Sequence, residues 1–482
     1  MLLRSSNIIR CLQLMFIISA QFFCQVGQSS AVSQDDQSSE LALKLYEGEY
    51  AYREATTLYI VVHAKQLIAV VGEGKYPLRQ TGVDQFANAV GDVLPFERNW
   101  QGEVIAFREK GERFERRNHL VPQWVHQLLR PRPTSETKSY KYQLPADLKD
   151  GIAVASTGDE TLPTKIAEQL INAVLEERTP EVRSLLVYHK GALRLEEYFY
   201  GFHRERAHPM RSLSKSVVAL VAGAAVDRHL LSVRTPVWPL FGWDSVANPD
   251  PRKQEISLHH LLSQQSGLAC NDRDSNSPGN EVKIYEEPDW VKATFDLPML
   301  ADPGTTARYC SAGIISAARA VELAVKKPLP EFADEALFAP LGIKKTDWRW
   351  TFKPERSERN EFSQIYLRPR DMLKLGMLIQ QRGVWQGKQV LSREWLSAMT
   401  EKQSVVDGAD YGLGIWHRWF RVKSAPGERV NTIMLSGNGV QKVFLVPSLD
   451  LIVVFTGGAF NVNSPVNQMM ADVILPALLT SH

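Results

Sequence analysis

Ser212 is followed three positions later by Lys215, at the head of the apolar run Ser216-Val-Val-Ala-Leu-Val-Ala-Gly-Ala-Ala-Val-Asp227. On a helix that spacing puts both side chains on one face, about one turn apart. A hydroxyl is a weak nucleophile until a neighbouring base takes its proton, and a lysine becomes such a base when burial or a second cation lowers its pKa. The apolar run predicts that burial. The pair therefore offers covalent acyl chemistry, although by itself the spacing also fits a serine capping a helix start.

The context narrows this. The segment ending Glu196-Glu-Tyr-Phe-Tyr-Gly201, then Arg211-Ser-Leu-Ser-Lys-Ser216, then Ile256-Ser-Leu-His-His-Leu-Leu-Ser-Gln-Gln-Ser-Gly-Leu268 together resemble the opening half of the serine β-lactamase-related hydrolases. That superfamily includes class C β-lactamases, D-alanyl-D-alanine carboxypeptidases, family VIII esterases and 6-aminohexanoate-dimer hydrolase. The resemblance covers about residues 180–460 and implies Ser212 as nucleophile and Lys215 as general base. It also implies a tyrosine two positions before an asparagine or serine, and Tyr309-Cys310-Ser311 follows the Pro303-Gly304 turn. Tyr309 would then shuttle protons to the leaving group, and Ser311 would hydrogen-bond the lysine or the substrate. A core tyrosine with a satisfied hydroxyl also fits.

The third element of the superfamily is an edge strand, for which Met434-Leu-Ser-Gly-Asn-Gly-Val-Gln-Lys-Val-Phe-Leu-Val-Pro447 is similar to the glycine-rich form of the esterase and amide hydrolase branch. The resemblance implies Ser436, Gly437, Asn438 and Gly439 as substrate-facing, with a backbone N–H near Asn438 joining that of Ser212 in an oxyanion hole. Two positions depart from the pattern: Leu435 stands where a lysine would meet the carboxylate of penicillins, and Val440 stands where a second adjacent glycine is expected. The missing lysine points to esters or amides rather than β-lactams.

These residues need a scaffold. Apolar positions at helical spacing from Ile166, two strands over residues 184–200 and helices over residues 311–325 and 370–382 fill the region, and strands return over residues 440–447 and 451–456. Strands flanking a helical middle predict one α/β or α+β domain over residues 150–482, its sheet built from both ends, and the resemblance implies the α+β form, an α/β sandwich of the serine β-lactamase/DD-peptidase type. Residues 41–117 are rich in short β-branched and aromatic runs punctuated by glycines, which predicts a small all-β sheet or barrel resembling a lipocalin-like accessory module. The proline-broken, charged residues 118–149 read as a linker.

Arg4 and Arg10 precede the apolar residues 11–24, and small residues follow, as in an export signal over residues 1–30; a retained membrane anchor is the alternative. Removing that signal leaves no stable membrane span and two cysteines, Cys270 and Cys310, in an oxidising compartment, periplasmic or extracellular. A disulfide between them is the expectation, against two free buried thiols. It would clamp residues 271–300 over the site and brace Tyr309.

The 482 residues carry a net charge of +2, which gives no electrostatic reason to propose nucleic acid as a partner. No cofactor is implied. His259-His260 invites a metal, but neighbours on a helix diverge by about 100° and no ligand cluster accompanies them. Asp272, Asp274, Glu281, Glu286 and Glu287 read as a solvated acidic rim, and Trp290, Tyr366, Trp416 and Trp419 as pocket lining or core. The expectation is an exported serine hydrolase of small ester or amide substrates. The alternatives are a non-catalytic penicillin-binding-like or ligand-sensing protein and a D-Ala-D-Ala carboxypeptidase.

Overall fold

The computed structural model describes residues 40–52, 56–89, 91–132, 140–158, 161–352, 362–422, 429–461 and 465–479. The export segment expected over residues 1–30 lies outside these. The chain divides into two compact units, residues 1–138 and 139–482.

In the first unit β1 (Gly48–Tyr52), β2 (Thr56–His63), β3 (Gln66–Val71), β4 (Gly74–Gly82), β5 (Gln85–Ala87), β6 (Val93–Arg98), β7 (Val104–Glu109) and β8 (Glu112–Asn118) pair in sequence order, and β8 closes on β1 as a barrel. Closure leaves no unpaired sheet edge. The β7–β8 turn has two residues, Lys110 and Gly111, both at positive φ, the hairpin geometry that matches strand twist. Alternate residues such as Leu58 and Ile60 point inward and join Tyr46, Tyr50, Phe86, Phe96 and Phe107 in a packed core. Its rings meet edge-on, Tyr46 on Phe86 at 5.0 Å and Tyr50 on Phe107 at 5.4 Å between centroids. Among its described residues, the stretch expected as a linker holds one short helix, Gln123–Leu128.

The second unit begins its sheet with β9 (Val182–His189) and β10 (Ala192–Tyr198). A small sheet of β11 (His208–Pro209), β12 (Arg349–Phe352) and β13 (Phe362–Leu367) and a hairpin of β14 (Val384–Trp385) and β15 (Lys388–Gln389) follow. The main sheet resumes with β16 (Ser404–Val406), β17 (Ala409–Tyr411), β18 (Trp416–Arg421), β19 (Arg429–Gly437), β20 (Gln441–Val446) and β21 (Leu451–Gly457). Its order is β10-β9-β21-β20-β19-β18-β17-β16, so β9 from one end of the domain pairs with β21 from the other. Every residue of β9 and β21 is buried, as expected for central strands covered on both faces.

Period-two alternation divides the faces. Leu435, Val443, Leu445, Ile452 and Val454 join the large core with the helical middle, while their alternates Phe444 and Phe455 meet edge-on on the other side. At the centre of that core lies the helix Ser214–Asp227, buried on nearly all sides from Ser214 to Ala225, as its continuous apolar sequence requires. The helices Ser311–Val325 and Pro369–Gln380 pack around the same core. Arg370, at the start of the latter, makes a two-pronged contact with Glu196 on β10, at 2.8 and 2.6 Å.

Candidate active site

Ser212 sits on a short 3-10 turn, Arg211–Leu213, that runs directly into the Ser214–Asp227 helix. Arg211 has φ +51°, so the chain takes a sharp bend one residue before the serine, and Ser212 stays half-exposed while Leu213 onwards is buried. Lys215, one turn on, is buried and its Nζ lies 3.2 Å from Ser212 Oγ. The same ammonium donates to Ser311 Oγ at 2.9 Å and lies 4.8 Å from the centre of the Tyr309 ring. Two sequence-distant segments, the serine turn and the start of the Ser311–Val325 helix, therefore meet around one nitrogen.

Tyr309 and Ser311 are placed by a helix start and a cross-link. Cys310 caps the Ser311–Val325 helix, its Sγ accepting from the Gly313 N–H at 3.2 Å, and its own N–H donates to Gln264 Oε1. Cys310 is bonded to Cys270, with 5.4 Å between the Cα atoms. The bridge ties the segment after Cys270 to the helix start, and Asp272 N–H donates to Tyr309 O at 2.8 Å.

That segment corrects the reading of an acidic rim. Asp272 Oδ2 accepts from both the N–H and the Oγ of Ser311, each at 2.7 Å, and Glu281 Oε2 lies 3.2 Å from the same Oγ. Asp274, Glu286 and Glu287 remain exposed. Burial and the neighbouring Glu281 carboxylate raise the Asp272 pKa to about 6, against the pull of Lys215 and the Ser311 hydrogen bonds. The lysine also departs from expectation. Burial pushes its pKa down, but Tyr309, Asp272 and Glu281 together outweigh burial, and the pKa is raised. Lys215 rests as an ammonium ion.

The third element is a hairpin rather than a single edge strand. β19 and β20 pair from Ile433 to Gly437 and turn through Asn438, Gly439 and Val440. β19 is flanked by β18 only as far as Met434, so Leu435 to Gly437 extend past the end of the pairing on that side. Gly437 lies directly on the serine turn: a Cβ there would stand 2.1 Å from Met210 O and 3.2 Å from Leu213 N. A side chain at this position would drive the strand and the turn apart. Val440 adopts φ +77°, the left-handed backbone that favours glycine and is rare for a β-branched residue. Asn438 exchanges side-chain and backbone hydrogen bonds with Asn461.

Sequence reasoning noted Leu435 in place of a lysine and missed Lys442 on β20, which lies opposite the next residue, Ser436. Lys442 pairs with Ser436 across the hairpin, and its Nζ donates to Ser436 Oγ. Burial, with Arg418 and Arg273 nearby, lowers its pKa to about 8. Once the hairpin turn at Asn438-Gly439-Val440 is recognised, counting outward from it finds this lysine.

Of the four aromatic candidates, Trp416 stacks at a tilt on Tyr309 with centroids 5.7 Å apart. Trp290 is in the core, Tyr366 lies under the Arg349 guanidinium, and Trp419 is exposed. The two histidines have local tasks: His260 Nδ1 accepts from Ser257 N–H in a capping box, and His259 meets Gln403 Oε1 at 3.1 Å. Among the described residues no helix is long and apolar enough to cross a membrane.

A half-exposed serine on the turn that enters a buried helix, a lysine against it and a glycine strand laid on that turn define a mixed helix-and-strand protein with a polar centre between helices and sheet. The family model for Beta-lactamase matches residues 167–471, well over half the chain, and the chain belongs to that family, which is typically hydrolytic. None of the curated proteins matches it. Among solved structures, a Bacillus anthracis protein assigned as a 6-aminohexanoate-dimer hydrolase is similar at 16% identity, covering 70% of this chain and 90% of that one, with a TM-score of 0.51. A family VIII carboxylesterase is similar at 15% identity, covering 71% of this chain and all of its own, with a TM-score of 0.50. At such identity these likenesses establish the shared fold.

Proposed function

We propose that this chain is an exported serine hydrolase that cleaves ester or amide bonds through an acyl-enzyme on Ser212. The observation that carries the reading is the convergence on Lys215 Nζ of Ser212 Oγ at 3.2 Å, Ser311 Oγ at 2.9 Å and the Tyr309 ring. In this reading Ser212 Oγ attacks the acyl carbon as Lys215 takes its proton, and Tyr309 hands a proton to the leaving group. Backbone N–H groups of Ser212 and of the Gly437–Gly439 turn would face the developing oxyanion; the close approach of Gly437 to the Met210–Leu213 backbone supports that role. Water then releases the acyl group by the reverse proton path. The barrel of residues 48–118 is an accessory module of lipocalin-like type in this reading.

The test uses the mature protein and its Ser212→Ala variant with a fluorophosphonate probe, then with p-nitrophenyl acetate and butyrate. Labelling and turnover that both vanish in the variant support the enzyme. A wild-type protein that is neither labelled nor active is a binding or sensing protein, and the reading fails. D-Ala-D-Ala peptides and a chromogenic cephalosporin on the same protein separate an esterase or amidase from a carboxypeptidase or β-lactamase.

A further inference from the structure

The proposed chemistry asks Lys215 to accept a proton from Ser212, yet Lys215 is held as an ammonium ion whose N–H groups donate to Ser212 and Ser311 beside the Tyr309 ring. An ammonium has no lone pair, so it must first give a proton away. Behind it stands a route. Lys215 Nζ donates to Ser311 Oγ at 2.9 Å, and Ser311 Oγ in turn donates to Asp272 Oδ2 at 2.7 Å, with Glu281 Oε2 at 3.2 Å as the second acceptor.

The geometry points to Asp272 and Glu281 as the proton-accepting pair of this site, which draw a proton from Lys215 through the Ser311 hydroxyl and so ready the lysine to activate Ser212. The inference rests on the reading of Ser212 as nucleophile. Both carboxylates act through Ser311 and Lys215, so they are positioning residues rather than groups that touch the substrate.

The step balances. One proton passes from Lys215 Nζ to Ser311 Oγ as the hydroxyl proton of Ser311 passes to Asp272 Oδ2. The ammonium becomes an amine, the carboxylate becomes a carboxylic acid, and Ser311 is unchanged. The amine then takes the Ser212 proton, which leaves through Tyr309 with the departing group. At deacylation the amine takes a proton from water and delivers it to the Ser212 oxygen as that oxygen is released. Return of the proton from Asp272 through Ser311 then restores the ammonium. No other reactant is consumed.

The pair is built into the fold rather than left on the surface. Asp272 is fixed by four contacts: its N–H to Tyr309 O, its Oδ2 to the Ser311 N–H and Oγ, and its Oδ1 from the Glu281 N–H at 3.1 Å. The Cys270–Cys310 bond holds the two ends of this network together. Two carboxylates on one hydroxyl repel, and that repulsion, added to burial, keeps Asp272 ready to accept a proton. The other charged or titratable groups around them are Lys215 from the central helix, Tyr309 beside Ser311, Tyr285 from the Glu281–Glu286 helix, Arg211 from the serine turn, and Arg273, whose guanidinium lies 4.8 Å above the Tyr309 ring and pairs with Asp407.

The experiment is the pH profile of kcat/KM for p-nitrophenyl butyrate, measured on the wild-type protein and on Asp272→Asn, Asp272→Glu and Glu281→Gln, with fluorophosphonate labelling in parallel. In the wild type kcat/KM rises through about pH 6 as Asp272 becomes an acceptor. Asp272→Asn lowers kcat/KM by about 100-fold, the usual range for loss of acid–base assistance, and Asp272→Glu recovers part of it. Glu281→Gln removes the repulsion, so Asp272 titrates lower and the acid limb moves to more acidic pH, a shift that a purely structural role would not produce. If Asp272→Asn does not fold, Glu281→Gln and Asp272→Glu decide the matter. An active, labelled wild-type protein whose acid limb stays put in Glu281→Gln, or whose Asp272→Asn variant keeps full kcat/KM, overturns this inference and leaves the serine hydrolase standing. Absence of labelling and turnover in the wild type removes both.

Discussion

The Cys270–Cys310 bond spans a sequence separation of 40 residues and joins the acidic segment to the helix start that carries Tyr309 and Ser311. Replacing both cysteines by serine removes the cross-link and leaves an oxygen at position 310 that can still cap the helix by accepting the Gly313 N–H. The loop-entropy account gives about 4 kcal/mol for closing a loop of that length in the unfolded chain. Unfolding entropy for a unit of about 340 residues is about 0.7 kcal/mol per degree, so Tm should fall by about 5 °C. Catalysis should fall with it, because Asp272 and Ser311 are held against each other from the two sides of this bond. The assay is thermal unfolding of the oxidised wild type, the reduced wild type and the double serine variant, with kcat/KM for p-nitrophenyl butyrate on each. An unchanged Tm refutes the loop-closure argument, and a lowered Tm with unchanged kinetics refutes the claim that the bond braces the site.

Two further outcomes follow from particular contacts. Gly437→Ala places a methyl group 2.1 Å from Met210 O, so the strand and the serine turn must separate; kcat/KM should drop by about 100-fold and fluorophosphonate labelling should slow, read against wild type at equal folded fraction. Lys442 has a folded pKa of about 8 against an ordinary 10.5, so the unfolded chain binds the extra proton between these values and stability rises with pH across that window. Lys442→Met should flatten that rise, measured by urea unfolding at pH 7, 8, 9 and 10; an unchanged slope refutes the assignment.

Much of the site was legible before folding because it is local. Ser212 and Lys215 meet because they stand one turn apart where a 3-10 turn runs into a helix, and the Tyr309-Cys310-Ser311 triplet marks a helix start by its preceding Pro303-Gly304 turn. Burial around Lys215 was legible too, but the sign of its pKa shift was not. That sign depends on Asp272 and Glu281, which lie about 60 residues away in sequence and read as a solvated rim when charge is judged from composition alone. The disulfide carried the missing hint: if Cys270 lies on Cys310, then Asp272 must lie near Ser311. The hairpin of β19 and β20 was read as one strand because its turn contains Val440 at φ +77°, a conformation its residue type argues against.

The sequence by itself determined a β-rich first unit, a second unit whose strands flank a helical middle, and the apolar helix that carries Lys215 one turn after Ser212, because each of these follows from spacing along the chain. Only the tertiary structure decided which charges surround the lysine, which strand supplies an amine to Ser436 and how closely Gly437 approaches the serine turn. Electrostatic shifts depend on distances through space and on exclusion of water, and neither is a function of sequence separation.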